Sequence, residues 1–179
     1  MIRKLKNEEL GRLSVDEFRS SEKSPFVVVL DNIRSMHNVG SVFRTSDAFA
    51  VNAIYLCGIT GQPPHREIEK TALGATLSVA WHYAADTRDA ISELREAGYQ
   101  VLAIEQVAGS ICLSEFQPEP GKKYALVFGN EVDGVDTEVI ALCDACVEIP
   151  QFGTKHSFNI TVSAGIVLWD LHSKITQKQ

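Results

Sequence analysis

Residues 25–31, PFVVVLD, are a continuous apolar run rich in β-branched residues, and the run ends in the carboxylate of Asp31. A run without polar alternation is typical of a strand buried on both faces of a parallel sheet. Similar runs follow as NAIYLCGI (52–59), YQVLAIE (99–105), KYALVFGN (123–130) and ACVEIP (145–150), with LSVAWHYA (77–84) as a weaker candidate. The sequence therefore predicts five or six buried strands.

Helical patterns separate these runs, at residues 39–50, 87–98, 136–143 and 159–174, and another covers residues 7–18. The helix at 87–98 has an N-cap in Asp86 and a C-terminal cap in Gly98. Strands that alternate with helices of this length predict an α/β fold, a mostly parallel sheet with helices on both faces. We expect an N-terminal helical extension over residues 1–24 and one domain over residues 25–179.

Polar clusters follow four of the predicted strands, where a parallel sheet usually binds its ligands. They read DNIRSMHN (31–38), EQVAGS (105–110), GNEVDG (129–134) and QFGTKHSFN (151–159). A functional site at the carboxyl edge of the sheet is the natural expectation.

Composition narrows the classes of protein to consider. With 179 residues, 45% of them hydrophobic, the chain can bury one core. No apolar run approaches the ~20 residues that span a bilayer, and the N-terminus lacks the apolar segment of a secretory signal, so we expect a soluble, cytoplasmic protein with no membrane partner.

The net charge of −6 argues against a phosphate-rich partner for the chain as a whole. The charge is uneven, however, because residues 1–23 hold six basic and five acidic side chains and the remainder holds 11 and 18. Any surface for RNA must therefore be a local patch.

Four cysteines and five histidines raise the question of a metal or redox site. Only Cys143 and Cys146 are closely spaced, no second pair completes a tetrahedral site, and the histidines lack metal-ligand spacing. We expect no metal, and we interpret the cysteines as buried free thiols.

No phosphate-binding glycine motif follows the first strand, so an ordinary nucleotide enzyme is disfavoured. Three other segments can be interpreted in two ways each. Asn38 and Arg44 are either a helix cap with a surface charge or part of a site. The turn with Gly129 and Glu131 is either a plain loop or a close backbone approach to a ligand. The polar residues before the last helix are either surplus caps or ligand contacts.

Taken together, HNVGSVFRTSDAF (37–49), ALVFGNEVDGV (125–135) and EIPQFGTKHSFNITVSAG (148–165) closely resemble the three ordered motifs of the SpoU (TrmH-like) family of SPOUT-class RNA 2'-O-ribose methyltransferases. The resemblance covers roughly residues 26–172. Its departures are small: Phe158 stands where the family usually has leucine, and Ser41 where a small apolar residue is common.

This resemblance implies a C-terminal trefoil knot, an S-adenosyl-L-methionine cofactor, and a homodimer that uses the last helix and the helix of the first motif. It implies methyl transfer to a ribose 2'-hydroxyl of tRNA or rRNA, with a non-catalytic module of the same fold as the alternative. Catalytic positions carried over from the motifs are Arg44, Asn38, Glu131, Ser157 and Asn159. Cofactor-binding positions are Leu102, Ala103, Glu105, Gly129, Ile149, Gln151 and Phe158.

Substrate contacts are expected from basic residues of the N-terminal extension, of the loop PPHREIEK (63–70) and of the third motif. These residues are Arg3, Lys4, Lys6, Arg12, Arg66, Lys70 and Lys155. Each of them can equally be interpreted as a solvated surface charge.

Overall fold

A computed structural model describes residues 2–176. Seven strands form one sheet in the order β3-β2-β1-β6-β4-β7-β5, and each neighbouring pair is parallel. The strands are β1 Ser24–Asp31, β2 Val51–Cys57, β3 Trp81–Ala84, β4 Tyr99–Ile104, β5 Ile111–Cys112, β6 Lys123–Phe128 and β7 Ala145–Glu148. The helices are α1 Val15–Ser20, α2 Met36–Ala48, α3 Arg66–Ala72, α4 Ala75–Ser78, α5 Thr87–Glu96, α6 Thr137–Ile140 and α7 Ile160–Thr176.

The predicted α/β architecture and the six predicted strands are confirmed. Burial on both faces explains the apolar run at the start: Phe26, Val28 and Leu30 of β1 face one core cluster, which includes residues of α2 and α7. Val27 and Val29 face the other cluster, which includes residues of α5. Helices on both faces leave the carboxyl edge of the sheet open for a site.

The N-terminal helix predicted over residues 7–18 is wrong, because two short elements stand in its place. A 3-10 turn at Asn7–Leu10 ends at Gly11, whose φ of 57° lies in the left-handed region. A separate α1 then starts behind the cap Ser14, which pairs reciprocally with Glu17. In α1 only Phe18 is buried, and the Arg19 side chain donates to the Leu77 carbonyl of α4 at 2.9 Å, so these two residues attach the extension to the domain.

Three elements were not predicted: α3 and α4, which pack near α2, and the two-residue strand β5. The first motif helix starts earlier than its apolar pattern, at Met36, and Ser35 rather than Asn38 caps it. The side chain of Asn38 is thus released for other contacts. Over residues 2–176, no helix combines the length and apolar character needed to cross a bilayer.

Candidate functional site

A cleft of about 410 Å³ opens at the carboxyl edge of the sheet. Its walls follow three strands that are neighbours in the sheet, β6, β4 and β7. Ile104 to Gln106 continue from β4, Phe128 to Gly134 continue from β6, and the segment from Glu148 leads from β7 to the first turn of α7. Parallel strands bring these distant segments together because all their carboxyl ends lie at one edge.

The turn after β6 forms the tightest wall of the cleft. The backbones of Asn130 and Gly134 pair in both directions, at 3.0 and 3.1 Å, and the Asn130 side-chain oxygen accepts from the N–H groups of Val132 and Asp133, at 2.9 Å each. Gly129 lies so close to this turn that a Cβ there would meet the Gly134 carbonyl carbon at 1.9 Å. Glycine is therefore required by the closure of the turn onto itself.

The Glu105 side chain joins the end of β4 to this turn. One carboxylate oxygen accepts from the Val135 N–H at 3.0 Å, and the other accepts from the Gln106 N–H at 2.9 Å. A Cβ on Gly134 would lie 2.2 Å from the first of these oxygens. Glu105 therefore shapes the cleft through its side chain, in addition to the backbone contact predicted from the motif.

Hydrogen bonds connect all three motifs at the rim of the cleft. The Glu131 carboxylate accepts from the Asn38 amide at 2.7 Å, and the Asn38 side-chain oxygen accepts from the Asn159 amide at 3.4 Å. Glu131 also accepts from the backbone N–H groups of Arg34 and Ser35, at 3.3 and 3.4 Å. The second and third motifs thus both contact Asn38 of the first motif, from which Glu131 is 93 and Asn159 is 121 residues away in sequence.

Electrostatics at this junction keep Glu131 ionised. Partial burial alone would raise the pKa of its carboxyl, but the bonds from Asn38 and from the backbone N–H groups of Glu131, Arg34 and Ser35 together lower that pKa below its usual value. At neutral pH the carboxylate is therefore an acceptor that holds the start of α2, next to the positive end of the helix dipole.

The polar residues before α7 have separate roles. Asn159 caps the helix, because its side-chain oxygen accepts from the N–H and the hydroxyl of Thr161 at 2.9 and 2.6 Å. Ser157 and His156 line the cleft instead of capping. Of the two interpretations of this segment, capping therefore holds for Asn159, while Ser157 and His156 lie where a ligand in the cleft would meet them.

Arg44 does not line this cleft. It is exposed on α2 and borders a shallow depression together with Ser41, Lys70 and Thr161. The depression and the cleft lie on either side of the first turn of α7, because Thr161 borders the depression and Ile160 lines the cleft. Within a single chain, the structure thus separates Arg44 from the junction of the other predicted catalytic positions.

Five of the seven predicted cofactor positions line the cleft, namely Glu105, Gly129, Ile149, Gln151 and Phe158. Leu102 and Ala103 do not, because both are completely buried and contact opposite core clusters of the sheet. The wall formed by β4 begins one residue later, at Ile104. Residues 102 and 103 point into the cores on either side of the strand, and the exposed edge starts where the strand ends.

The predicted RNA-binding residues are spread over separate surfaces. Arg3 is paired with Glu9 at 2.6 Å, and Lys70 borders the depression beside Arg44. The remaining five, Lys4, Lys6, Arg12, Arg66 and Lys155, are all exposed. Their roles stay predictions.

Sequence reasoning missed several residues that line the cleft, including Ile104, Gln106, Phe128, His156 and Ser163. Most of them adjoin a predicted residue, so the signal that would have found them is their position at the end of a strand. It also missed the contact between His37 Nε2 and the Glu67 carboxylate, at 2.7 Å, which joins α2 to α3.

The prediction of buried thiols is correct for Cys57, whereas Cys112, Cys143 and Cys146 are half-buried. Burial raises the pKa of Cys57 and of Cys143 to about 12. In residues 2–176 no group of three His, Cys, Asp or Glu side chains has a metal-binding arrangement.

Fold and site together define an α/β protein with a cleft at the carboxyl edge of a parallel sheet and with three loop motifs joined at the mouth of the cleft. The particular family follows from the comparison with known sequences. The chain belongs to the SpoU rRNA Methylase family, whose model matches residues 25–169. Membership implies the C-terminal trefoil knot expected from the motifs.

Known proteins of this type match most of the chain. A 23S rRNA (guanosine-2'-O-)-methyltransferase RlmB of Neisseria meningitidis is 31% identical over 153 residues, which are 86% of this chain and 60% of that protein. The chain thus spans about three fifths of the length of this relative.

Two solved structures are also similar. The AdoMet-bound rRNA methyltransferase from Sinorhizobium meliloti has a TM-score of 0.77 at 31% identity, and the match covers 86% of this chain and 58% of that one. The TrmH/SpoU tRNA modifying enzyme of A. aeolicus has a TM-score of 0.80 at 25% identity, and the match covers 92% of this chain and 83% of that one.

Proposed function

We propose that this protein is an S-adenosyl-L-methionine-dependent methyltransferase that methylates a ribose 2'-hydroxyl in tRNA or rRNA. The observation that carries this proposal is the hydrogen-bonded junction of Asn38, Glu131 and Asn159 at the rim of the cleft. A family motif set retained only for folding would not need three polar side chains meeting beside a ligand-sized opening. The family's named relatives support the same reaction.

The cleft fits the proposed cofactor in size and in lining. Its volume lies within the about 300–1,000 Å³ that is usual for small-molecule sites. Ile104, Phe128 and Ile149 offer apolar surface, and Gly129 and Gly134 belong to the tight turn that forms another part of the wall. S-adenosyl-L-methionine supplies a methyl group on a positively charged sulfur. A neighbouring S-adenosylmethionine-bound structure supports this choice of cofactor.

The residues of the junction would act by positioning. Methyl transfer from a cationic donor to oxygen cancels charge, so alignment of donor and acceptor supplies much of the rate. Glu131 fixes the start of α2, Asn38 connects it to Asn159, and Asn159 fixes the start of α7. Ser157, on the cleft wall, is then held where it can contact the incoming ribose.

Arg44 would act as a cation. A guanidinium is a poor base, so we assign Arg44 to orienting an RNA phosphate and stabilising the developing alkoxide. Among the described residues its side chain has no hydrogen-bond or ion-pair partner, and the neighbouring depression also carries Lys70. The free guanidinium of Arg44, with Lys70 on the same depression, suits an anionic backbone.

A homodimer is part of this proposal. Val162, Ile166 and Trp169 recur at the spacing of one helical face on α7, and Trp169 is 65% exposed. Trp169 packs against Phe49, which lies just after α2, with 6.4 Å between the two ring centroids. The apolar surface therefore continues from α7 to the end of α2. A second copy on this face would cover it, next to Arg44. Dimerisation and the cytoplasmic location stay predictions.

The test is to incubate the purified protein with labelled S-adenosyl-L-methionine and with total tRNA or rRNA. We expect label that survives removal of the bases and that blocks alkaline cleavage at one site, as a 2'-O-methyl group does. Cofactor binding without incorporation into either RNA would favour the alternative, a non-catalytic module. Sedimentation of the same sample checks the dimer.

A further inference from the structure

The loop between β7 and α7 presents an aromatic ring to solvent beside the cleft. Phe152 is 96% exposed, and its neighbour Gln151 lines the cleft. Six residues further on, Phe158 is 41% exposed and lines the same cleft. Two exposed phenylalanine rings on one loop, at or next to the opening of the cleft, offer apolar surface that a flat ligand can contact.

The charge around Phe152 indicates the chemistry of its partner. Residues 149–159 contain Lys155 and His156 and no acidic residue, in a chain whose net charge is −6. Both side chains are exposed, and neither has an ion-pair partner among residues 2–176. A flat apolar ring three residues from an unpaired lysine fits a ligand that combines flat faces with negative charge, as an unpaired nucleotide does.

A second copy of the chain is a poorer fit for this ring. The cores of protein interfaces are depleted in lysine, whereas Lys155 lies three residues from Phe152. The apolar stripe of α7, with Trp169, already offers a continuous face for dimerisation. Phe152 instead belongs to the loop whose residues 156–158 form the wall of the cleft.

We propose that Phe152 is a specificity-determining residue that stacks on an unpaired base of the substrate RNA and so presents the adjoining ribose to the cleft. This inference rests on the proposed function. Stacking on an aromatic side chain tolerates every base, since each has a π face, so Phe152 would select single-stranded over paired RNA rather than one sequence.

The test compares Phe152→Tyr, Phe152→Leu and Phe152→Ala. Leucine keeps apolar surface but has no π face, so Phe152→Leu should resemble Phe152→Ala. From the usual strength of base stacking we expect both to bind fluorescently labelled total tRNA or rRNA about tenfold more weakly, with a matching rise in KM for RNA. Phe152→Tyr should stay within about twofold, because it keeps the ring.

Two further measurements separate stacking from other roles. The affinity for S-adenosyl-L-methionine and the sedimentation coefficient should not change in any Phe152 variant. Leu77→Ala, which truncates another exposed apolar side chain, on α4, should leave RNA affinity unchanged.

Unchanged RNA affinity in Phe152→Ala, full function in Phe152→Leu, or a dimer that dissociates in Phe152→Ala would each overturn the inference. If the wild-type protein transfers no methyl group to any RNA, the proposed function fails instead, and the RNA-affinity comparison still decides the role of Phe152.

Discussion

Replacing Gly129 by alanine should deform the turn that walls the cleft. The added Cβ would lie 1.9 Å from the Gly134 carbonyl carbon and 2.0 Å from the Val135 nitrogen. Ordinary carbon contacts are about 3.5 Å or longer, so the turn has to move by about 1.5 Å. Both neighbours are backbone atoms, so no side-chain rotation can relieve the clash.

The movement would break specific hydrogen bonds, and their number sets the expected loss of stability. At risk are the paired backbone bonds of Asn130 and Gly134 and the bond from Val135 to Glu105. Three hydrogen bonds of about 1 kcal/mol each give about 3 kcal/mol, comparable with the usual cost of overpacking. At about 2–4 °C per kcal/mol for a chain of this size, Tm should fall by about 6–12 °C.

The matched control is Gly153→Ala, in the loop before α7. A Cβ at Gly153 would meet nothing within 4 Å, so its Tm should change by no more than about 2 °C. Calorimetry should also show that Gly129→Ala binds S-adenosyl-L-methionine at least tenfold more weakly, while Gly153→Ala binds normally. Equal Tm and equal affinity in the two variants would refute the geometry of this turn.

Arg44→Ala should abolish methyl transfer and change the free energy of unfolding by no more than about 0.5 kcal/mol, because Arg44 is exposed and unpaired. Arg44→Lys tests whether a positive charge alone is sufficient for activity. A large loss of Tm in Arg44→Ala with activity retained would contradict the catalytic role of Arg44. Folding lowers the pKa of Glu131. The stability that its carboxylate contributes is therefore fully present above the unfolded pKa of about 4.3 and is lost as the pH falls through the lower pKa of the folded protein. The Tm difference between wild type and Glu131→Gln should therefore be constant from pH 6 to 8 and shrink below about pH 4; a difference that persists in acid would show another cause. Cys57, with its pKa raised to about 12, should resist iodoacetamide at pH 8 until the protein is denatured, and labelling of the native protein at the rate of a free thiol would contradict its burial.

The parallel sheet could be predicted because its strands are apolar on both faces. The run from Phe26 to Leu30 has no polar alternation, and each of its residues is buried against one of the two clusters. The N-terminal helix could not be predicted correctly, because its pattern continues across Gly11 although the backbone there is left-handed. Local periodicity does not report a single reversal of φ.

The site could be predicted in part for a similar reason. Motif positions such as Gly129 and Ile149 follow strand ends, and sequence places those ends well. The contact from Glu131 to Asn38 depends on the pairing of β1 with β6, a neighbour relation that no local pattern specifies. The separation of Arg44 from the cleft likewise depends on where α2 contacts α7, which is a property of the packed fold.

We propose that the cleft between the ends of β6, β4 and β7 binds the methyl donor at the junction of the three motifs. A crystal structure of the protein with S-adenosylhomocysteine, the product of the donor, is the decisive measurement. We predict density in the cleft in contact with Gly129 and Ile149, with the sulfur facing Ser157. Density at any other surface, with this cleft filled only by solvent, would contradict the account.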